Sequence, residues 1–98
     1  DAEFGNVLIV GIGGGQLEVI HDTALHLGRI TRDEAAAVIS RLRNQQLLTS
    51  AKRRILIQLL LRVGQLMEDS PAIQELDLNP VLVTDTSYSI LDVRIYAV

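Results

Sequence analysis

The apolar positions of this chain fall into blocks of different period. Residues 7–12, VLIVGI, form a short aliphatic run that stops at Gly13, Gly14 and Gly15, the pattern of a strand entering a tight turn. Residues 16–20 read as the returning strand and residues 23–27 as a further extended piece. Thr31-Arg32-Asp33-Glu34 has capping-box spacing, in which a threonine oxygen bonds the first turn while the glutamate reaches back. It predicts a helix with Ala35, Val38, Ile39 and Leu42 on one stripe and Arg41 and Arg43 near its C-terminal end. Leu56, Leu59, Leu60, Val63, Leu66 and Met67 repeat at helical spacing and predict a second helix over 52–68, ended by Asp69-Ser70-Pro71. Beyond the proline the period drops to two, which predicts strands over 75–83 and 88–97 joined by residues 84–87. Strands, two helices, then a hairpin describe an α+β domain: an antiparallel sheet with two α-helices packed on one face.

The last two strands carry the candidate chemistry. Glu75, Asp77 and Asn79 alternate with Leu76, Leu78 and Pro80, so an extended chain puts oxygen-bearing side chains on one face. On the second strand Tyr88, Ile90, Asp92, Arg94 and Tyr96 share a face, with Leu91, Val93 and Ile95 on the other. A turn centred on Asp85 and Thr86 places Asn79 opposite Asp92 and Asp77 opposite Arg94. Magnesium takes hard oxygen ligands, often one or two from protein and the rest from water and phosphate, so a facing amide oxygen and carboxylate make a half-site. Arg94 suits either neutralisation of Asp77 or contact with a phosphate oxygen. Spacing alone favours the plainer reading of a solvated sheet face with a cross-strand ion pair, because one-face polar strands are common in antiparallel sheets.

Composition narrows the classes. At 98 residues the chain accommodates one small domain, 1–98, and its 48% apolar, 3% aromatic content predicts a core of Leu, Ile, Val and Ala. A domain this small leaves much surface exposed, so the aliphatic surplus points to cover by a partner domain or subunit, an oligomer included. With no cysteine there is no disulfide scaffold, thiol nucleophile or thiolate metal site, which fits a reducing, cytoplasmic setting. A net charge of −3 and few aromatics argue against a nucleic-acid surface. The acidic start DAEFGN does not read as a signal peptide, and ILIQLLLRVGQLM is too short and too amphipathic for a membrane span. The chain opens with Asp1 rather than Met, as a processed product or a piece of a longer protein would.

Three other signals carry less. GIGGG has Gln16 where a dinucleotide fingerprint needs its third glycine, and strand rather than helix is expected after it, so a hairpin turn is the better reading. His21 and His26 fall on opposite faces of an extended chain and do not form a metal pair. No serine sits in a G-x-S-x-G setting.

ELDLNPVLV, followed by Asp92 in LDVRI, resembles the closing segment of the ATP-grasp domain in ADP-forming (NDP-forming) acyl-CoA synthetases, where an ELDINPL-type strand pairs with a DARI-type strand. FGNVLIVGIGGGQLEVIHD is similar to that family's start and glycine-rich strand pair, LGRITRDEA to its helix entry, and LLRVGQLMEDSPAIQELDLNP to its last helix and strand. The resemblance implies a fold like the C-terminal ATP-grasp subdomain, the second half of a larger ATP-grasp domain. It also implies a role in an acid–thiol ligase that forms acyl-CoA from a carboxylic acid and CoA as ATP becomes ADP and phosphate. Asn79 and Asp92 match the positions that hold magnesium there and in the similar succinyl-CoA ligases, with Asp77 and Arg94 as nucleotide-binding candidates. No catalytic residue falls in this chain. Mg2+ and ATP/ADP are the implied cofactors of the complete protein, with CoA and a phosphohistidine located elsewhere. The implied partners are the remaining ATP-grasp half and the CoA-binding and ligase domains, on the parent chain or a partner subunit.

Two departures from the family pattern bear on this. The longer glycine-containing loop before the last helix is replaced by TSAKRR, residues 49–54, whose Lys52, Arg53 and Arg54 read as a flexible, solvated run. The half that grips adenine and covers the triphosphate has no counterpart in this sequence. An isolated chain is therefore expected to be inactive, and the alternative reading is a non-catalytic interaction or regulatory module with its binding surface on the aliphatic helices.

Overall fold

The computed structural model describes residues 7–10, 12–13, 16–17, 24–27, 30–42 and 45–97. Strands β1 (Val7–Val10), β2 (Ile12–Gly13), β3 (Gln16–Leu17) and β4 (Ala24–Leu27) precede helices α1 (Arg32–Ser40) and α2 (Ser50–Asp69). Strands β5 (Ile73–Leu78), β6 (Val81–Val83), β7 (Tyr88–Ile90) and β8 (Val93–Ala97) follow. The order is the α+β one expected. The single strand predicted over 7–12 instead serves two sheets: β1 pairs antiparallel with β4, and β2 with β3. The pairs Ile12↔Leu17 and Gly13↔Gln16 put Ile12 and Gly13 of the GIGGG motif in an antiparallel strand pair, while Gly11, Gly14 and Gly15 lie outside the described residues, as do His21 and Arg43. Leu17 pairs with Val81, which joins the N-terminal strands to the C-terminal hairpin in the sheet β2-β3-β6-β7.

Helix α1 forms where the local signals place it. Thr31 Oγ1 accepts a hydrogen bond from the Glu34 amide at 3.2 Å, and Glu34 Oε1 accepts one from the Thr31 amide at 3.0 Å. Each bond satisfies a backbone donor that the first turn leaves without a partner. The helix buries Ala35, Val38 and Ile39, with Leu42 just beyond its end. Thr31→Ala removes the hydroxyl half of the box and should cost about 1 kcal/mol. Faster amide exchange confined to the first turn of α1 is the expected readout, and an unchanged exchange profile would contradict it.

Helix α2 starts two residues before the predicted Lys52, because Thr49 caps it by accepting from the Lys52 amide at 3.0 Å. Residues 50–54 are helical, so TSAKRR is the helix start and not a loop. Arg53 is likewise not a solvated cation: its Nη1 donates to Gln45 Oε1 at 2.7 Å and its Nη2 to Ser40 Oγ at 2.9 Å. That fork ties α2 to the end of α1 and to the single 3-10 turn Gln45–Leu47 between them. Gly64 marks the close approach of α2 to the entry of α1, where a Cβ would come within 3.0 Å of Ile30 Cγ2.

Ile55, Leu56, Leu59 and Leu60 of α2 meet the α1 stripe, Val81 and Val83 in one core. Burial of such side chains is the main favourable term in folding. Helix α2 packs on β6 and β7 as well as on α1, so both helices lie on one face of the sheet. The aliphatic helices are thus largely committed to the core, with Leu66 exposed at the end of the α2 stripe. The prominent exposed apolar row lies instead at β8, where Leu91, Val93 and Ile95 are 58%, 46% and 55% exposed. Among the described residues no helix is long and apolar enough to cross a membrane.

Candidate metal half-site on the β5–β8 hairpin

The two long strands predicted over 75–83 and 88–97 form one hairpin with the expected register. Asp77↔Arg94 and Leu78↔Val93 pair in its outer part, and Val81↔Ile90 and Val83↔Tyr88 near the turn. The turn centres on Asp85 and Thr86, with the Thr84 amide donating to the Ser87 carbonyl at 2.8 Å. Thr84 Oγ1 also accepts from the Thr86 and Ser87 amides at 3.3 and 3.0 Å, which satisfies the turn's backbone donors locally.

Both strands break halfway, at Asn79-Pro80 and at Leu91-Asp92, and this break decides the site. The Asn79–Pro80 peptide is cis. The ladder continues through the break, with the Asn79 amide donating to the Asp92 carbonyl at 3.2 Å and the Leu91 amide to the Pro80 carbonyl at 3.0 Å. What changes is the face turned to the core. In β5 the even-numbered Leu78 packs against the core, whereas in β6 the odd-numbered Val81 and Val83 do. Unbroken alternation would put Asp77 and Asn79 on the same side as Val81 and Val83, facing the helices. The shift leaves them on the opposite side.

The second strand shifts with the first, which corrects one expectation. Tyr88, paired with Val83, packs against the core and accepts a hydrogen bond from Arg62 Nη1 at 3.4 Å. Asp92 and Arg94, paired with the other segment, have side chains 60% and 67% exposed. Tyr88 and Asp92 therefore do not share a face. Val93 and Ile95, on the strand's other face, are exposed along with the rest of β8.

The sequence-derived site residues thus come together as backbone neighbours. Asn79 stands beside Asp92 across one hydrogen bond, Asp77 stands opposite Arg94, and Glu75 stands opposite Tyr96. The ion pair of Arg94 runs along its own strand: its Nε lies 3.9 Å from Asp92 Oδ2, in place of the predicted pairing with Asp77. The amide oxygen of half-buried Asn79 and the carboxylate of exposed Asp92 are hard donors of the kind Mg2+ takes. Among the described residues no group of three or more His, Cys, Asp or Glu could hold a metal ion. Asn79 and Asp92 are two donors and not a protein cage, and a cation there would need further oxygen ligands.

One anchor of this hairpin was not read from the sequence. Thr49 Oγ1, while capping α2, donates to Asp85 Oδ1 at 2.7 Å. The bond holds the hairpin turn at the helix N-terminus, where a carboxylate is favoured by the helix dipole. The cap could have been found from a threonine before an apolar-periodic run, but its partner is 36 residues away.

Residues 1–96 match the ATP-grasp domain family. Over 100 aligned residues the chain is 33% identical to acetate–CoA ligase [ADP-forming] I of Archaeoglobus fulgidus, covering 96% of this chain and 15% of that protein. It is 37% identical to 4-hydroxybutyrate–CoA ligase [ADP-forming] of Nitrosopumilus maritimus, covering 94% of this chain and 14% of that protein. The dinucleotide-forming acetyl-coenzyme A synthetase 1 of Ca. Korarchaeum cryptofilum, solved in complex with coenzyme A, Ca-AMPCP and HgCl+, superposes with a TM-score of 0.85 at 25% identity. That superposition covers 99% of this chain and 45% of the solved one. The chain thus spans about one-seventh of the length of these two curated relatives. With its helix-backed hairpin and its match over residues 1–96, it belongs to the ATP-grasp domain family and is related to the ADP-forming acyl-CoA synthetases.

Proposed function

We propose that this chain is the second half of an ATP-grasp domain in an acid–thiol ligase that makes acyl-CoA from a carboxylic acid, CoA and ATP, releasing ADP and phosphate. Its contribution is to hold the magnesium of the bound nucleotide through Asn79 and Asp92. The observation that carries this reading is the Asn79-to-Asp92 backbone bond at 3.2 Å, in a hairpin whose phase shift turns the carboxylates away from the helices. Relationship to ADP-forming ligases supplies the reaction class. A Korarchaeum relative solved with Ca-AMPCP supports a nucleotide at this domain.

Asn79 offers an amide oxygen without charge and Asp92 a carboxylate with one. Together they orient a cation while leaving most of its shell to phosphate oxygens and water. Asn79 and Asp92 would hold Mg2+, whose charge would offset the negative charge that develops during phosphoryl transfer. Asp77 and Arg94, paired across the strands next to Asn79 and Asp92, are the proposed nucleotide-side contacts, and the Thr49–Asp85 bond holds the hairpin against α2. The rest of the ATP-grasp domain and the CoA-binding domains, on the same chain or on a partner subunit, complete the protein. Turnover is a property of that assembly, not of these residues alone.

Asn79→Ala in the full-length protein tests the assignment. Loss of one neutral oxygen ligand should raise the Mg2+ concentration for half-maximal ATP-dependent acyl-CoA formation roughly tenfold, the equivalent of about 1.4 kcal/mol. Saturating Mg2+ should restore much of the rate. A Mg2+ dependence identical to that of the unaltered protein would remove Asn79 from the site.

A further inference from the structure

We infer that Arg94 holds the Asp92 carboxylate while no cation is bound, and exchanges it for a nucleotide phosphate when the cation arrives. The inference rests on the assignment of Asn79 and Asp92 as the magnesium ligands, and it gives Arg94 a role separate from charge balance with Asp77.

The geometry is that of an exchangeable contact. The Nε–Oδ2 separation is 3.9 Å, too long for a hydrogen bond, with both side chains mostly exposed. Such a pair is weak and costs little to break. Asp92 lies just before β8 and Arg94 within it, so the guanidinium and its carboxylate partner are close neighbours along the chain. Asp77 lies across the ladder from Arg94, so three groups of alternating charge occupy a few residues of sheet.

The same position makes Arg94 a competitor of any cation. A divalent ion at Asn79 and Asp92 meets a positive charge only a few ångströms away, and the repulsion is felt even at surface dielectric. Arg94 has a long side chain and, among the described residues, no second partner that would pin it beside Asp92. Its planar fork matches phosphate oxygens better than a single carboxylate edge reached through Nε. Vacating Asp92 therefore frees the guanidinium for the nucleotide that arrives with the cation. Cation and nucleotide are coupled through one side chain: each helps remove an obstacle to the other.

The coupling predicts effects of opposite sign, which loss of structure does not produce. In the full-length protein, free Mn2+ followed by electron paramagnetic resonance gives the Mn2+ affinity with and without ADP. Arg94→Gln should bind Mn2+ alone roughly threefold to tenfold more tightly, since one repelling charge is gone. The same variant should bind ADP in the presence of Mn2+ roughly tenfold more weakly, since a charged phosphate contact is lost. Arg94→Lys, which keeps the charge, should keep the Mn2+ affinity within about twofold and recover only part of the ADP affinity. Asp92→Asn is the reference and should weaken Mn2+ binding in both states.

If Asp92→Asn leaves Mn2+ binding unchanged, the metal assignment itself fails, and the role of Arg94 fails with it. If Asp92→Asn weakens binding but Arg94→Gln does not tighten it, the assignment stands and the competition is overturned. Equal tightening in Arg94→Lys would show that charge is not the cause. Unchanged ADP affinity in Arg94→Gln would overturn the exchange onto phosphate.

Discussion

Asp92→Ala should abolish the ATP-driven acyl-CoA formation proposed for the full-length protein, with a loss on the order of a thousandfold or more, while the domain stays folded. The size follows from the role proposed for the carboxylate. A metal that neutralises charge during phosphoryl transfer contributes several kcal/mol, and each 1.4 kcal/mol is about a factor of ten in rate. Asp92 supplies the charged one of the two protein ligands, so its removal differs in kind from Asn79→Ala, and added Mg2+ should not restore the rate. The fold tolerates the change because the Asp92 side chain is 60% exposed and its structural contact is made by the backbone. Alanine keeps the carbonyl that accepts the Asn79 amide. Steady-state turnover beside a thermal melt checks both halves. Near-normal turnover in a folded variant would sink the magnesium assignment, and a collapsed melt would mean that Asp92 is structural.

Leu56→Ala should destabilise the domain by about 3 kcal/mol, within the roughly 2–5 kcal/mol typical of leucine truncation in a packed core. Leu56 is 1% exposed, among the largest fully buried side chains of the domain together with Ile39 and Val38. It belongs to the cluster in which α2 meets α1, Val81 and Val83, so the cavity opens between the helix layer and the hairpin. A cost of that size raises the open population by more than a hundredfold. Amide exchange through α1 and α2 should therefore accelerate together, with Mg2+-dependent activity falling as the hairpin loses its support. Leu66→Ala, on the same helix but exposed, should change exchange little. Equal effects at the two positions would mean that the helix faces another way.

Several elements were legible because their determinants are local. The capping box at Thr31 and Glu34 and the stripe Ala35, Val38, Ile39 and Leu42 lie within four residues of their partners, and helix α1 formed on them. The hairpin register was equally readable, because a tight turn at Asp85 and Thr86 leaves one pairing for everything behind it. Asn79 beside Asp92 follows from that register alone. The start of α2 was placed two residues late, at Lys52 instead of Ser50, because the apolar repeat begins only at Ile55 and the turn that Thr49 caps is not acidic, as a helix start usually is. Arg53 is accommodated by Gln45 and Ser40, neighbours supplied by the packing of the two helices.

While their reading as ligands came from the family resemblance, the pairing of the candidate residues was thus legible in the sequence, through an alternating pattern and a turn whose physics spans a few bonds. Their exposure was not. A period of two says that neighbouring side chains point apart, but it does not say which set meets the helices, and one break of two residues reverses the answer. That break at Asn79-Pro80 and Leu91-Asp92 lets Val81 and Val83 face the core while Asp92 and Arg94 stay exposed. The choice was made by tertiary packing of α2 on β6 and β7, because only burial against another element distinguishes the two faces of a strand.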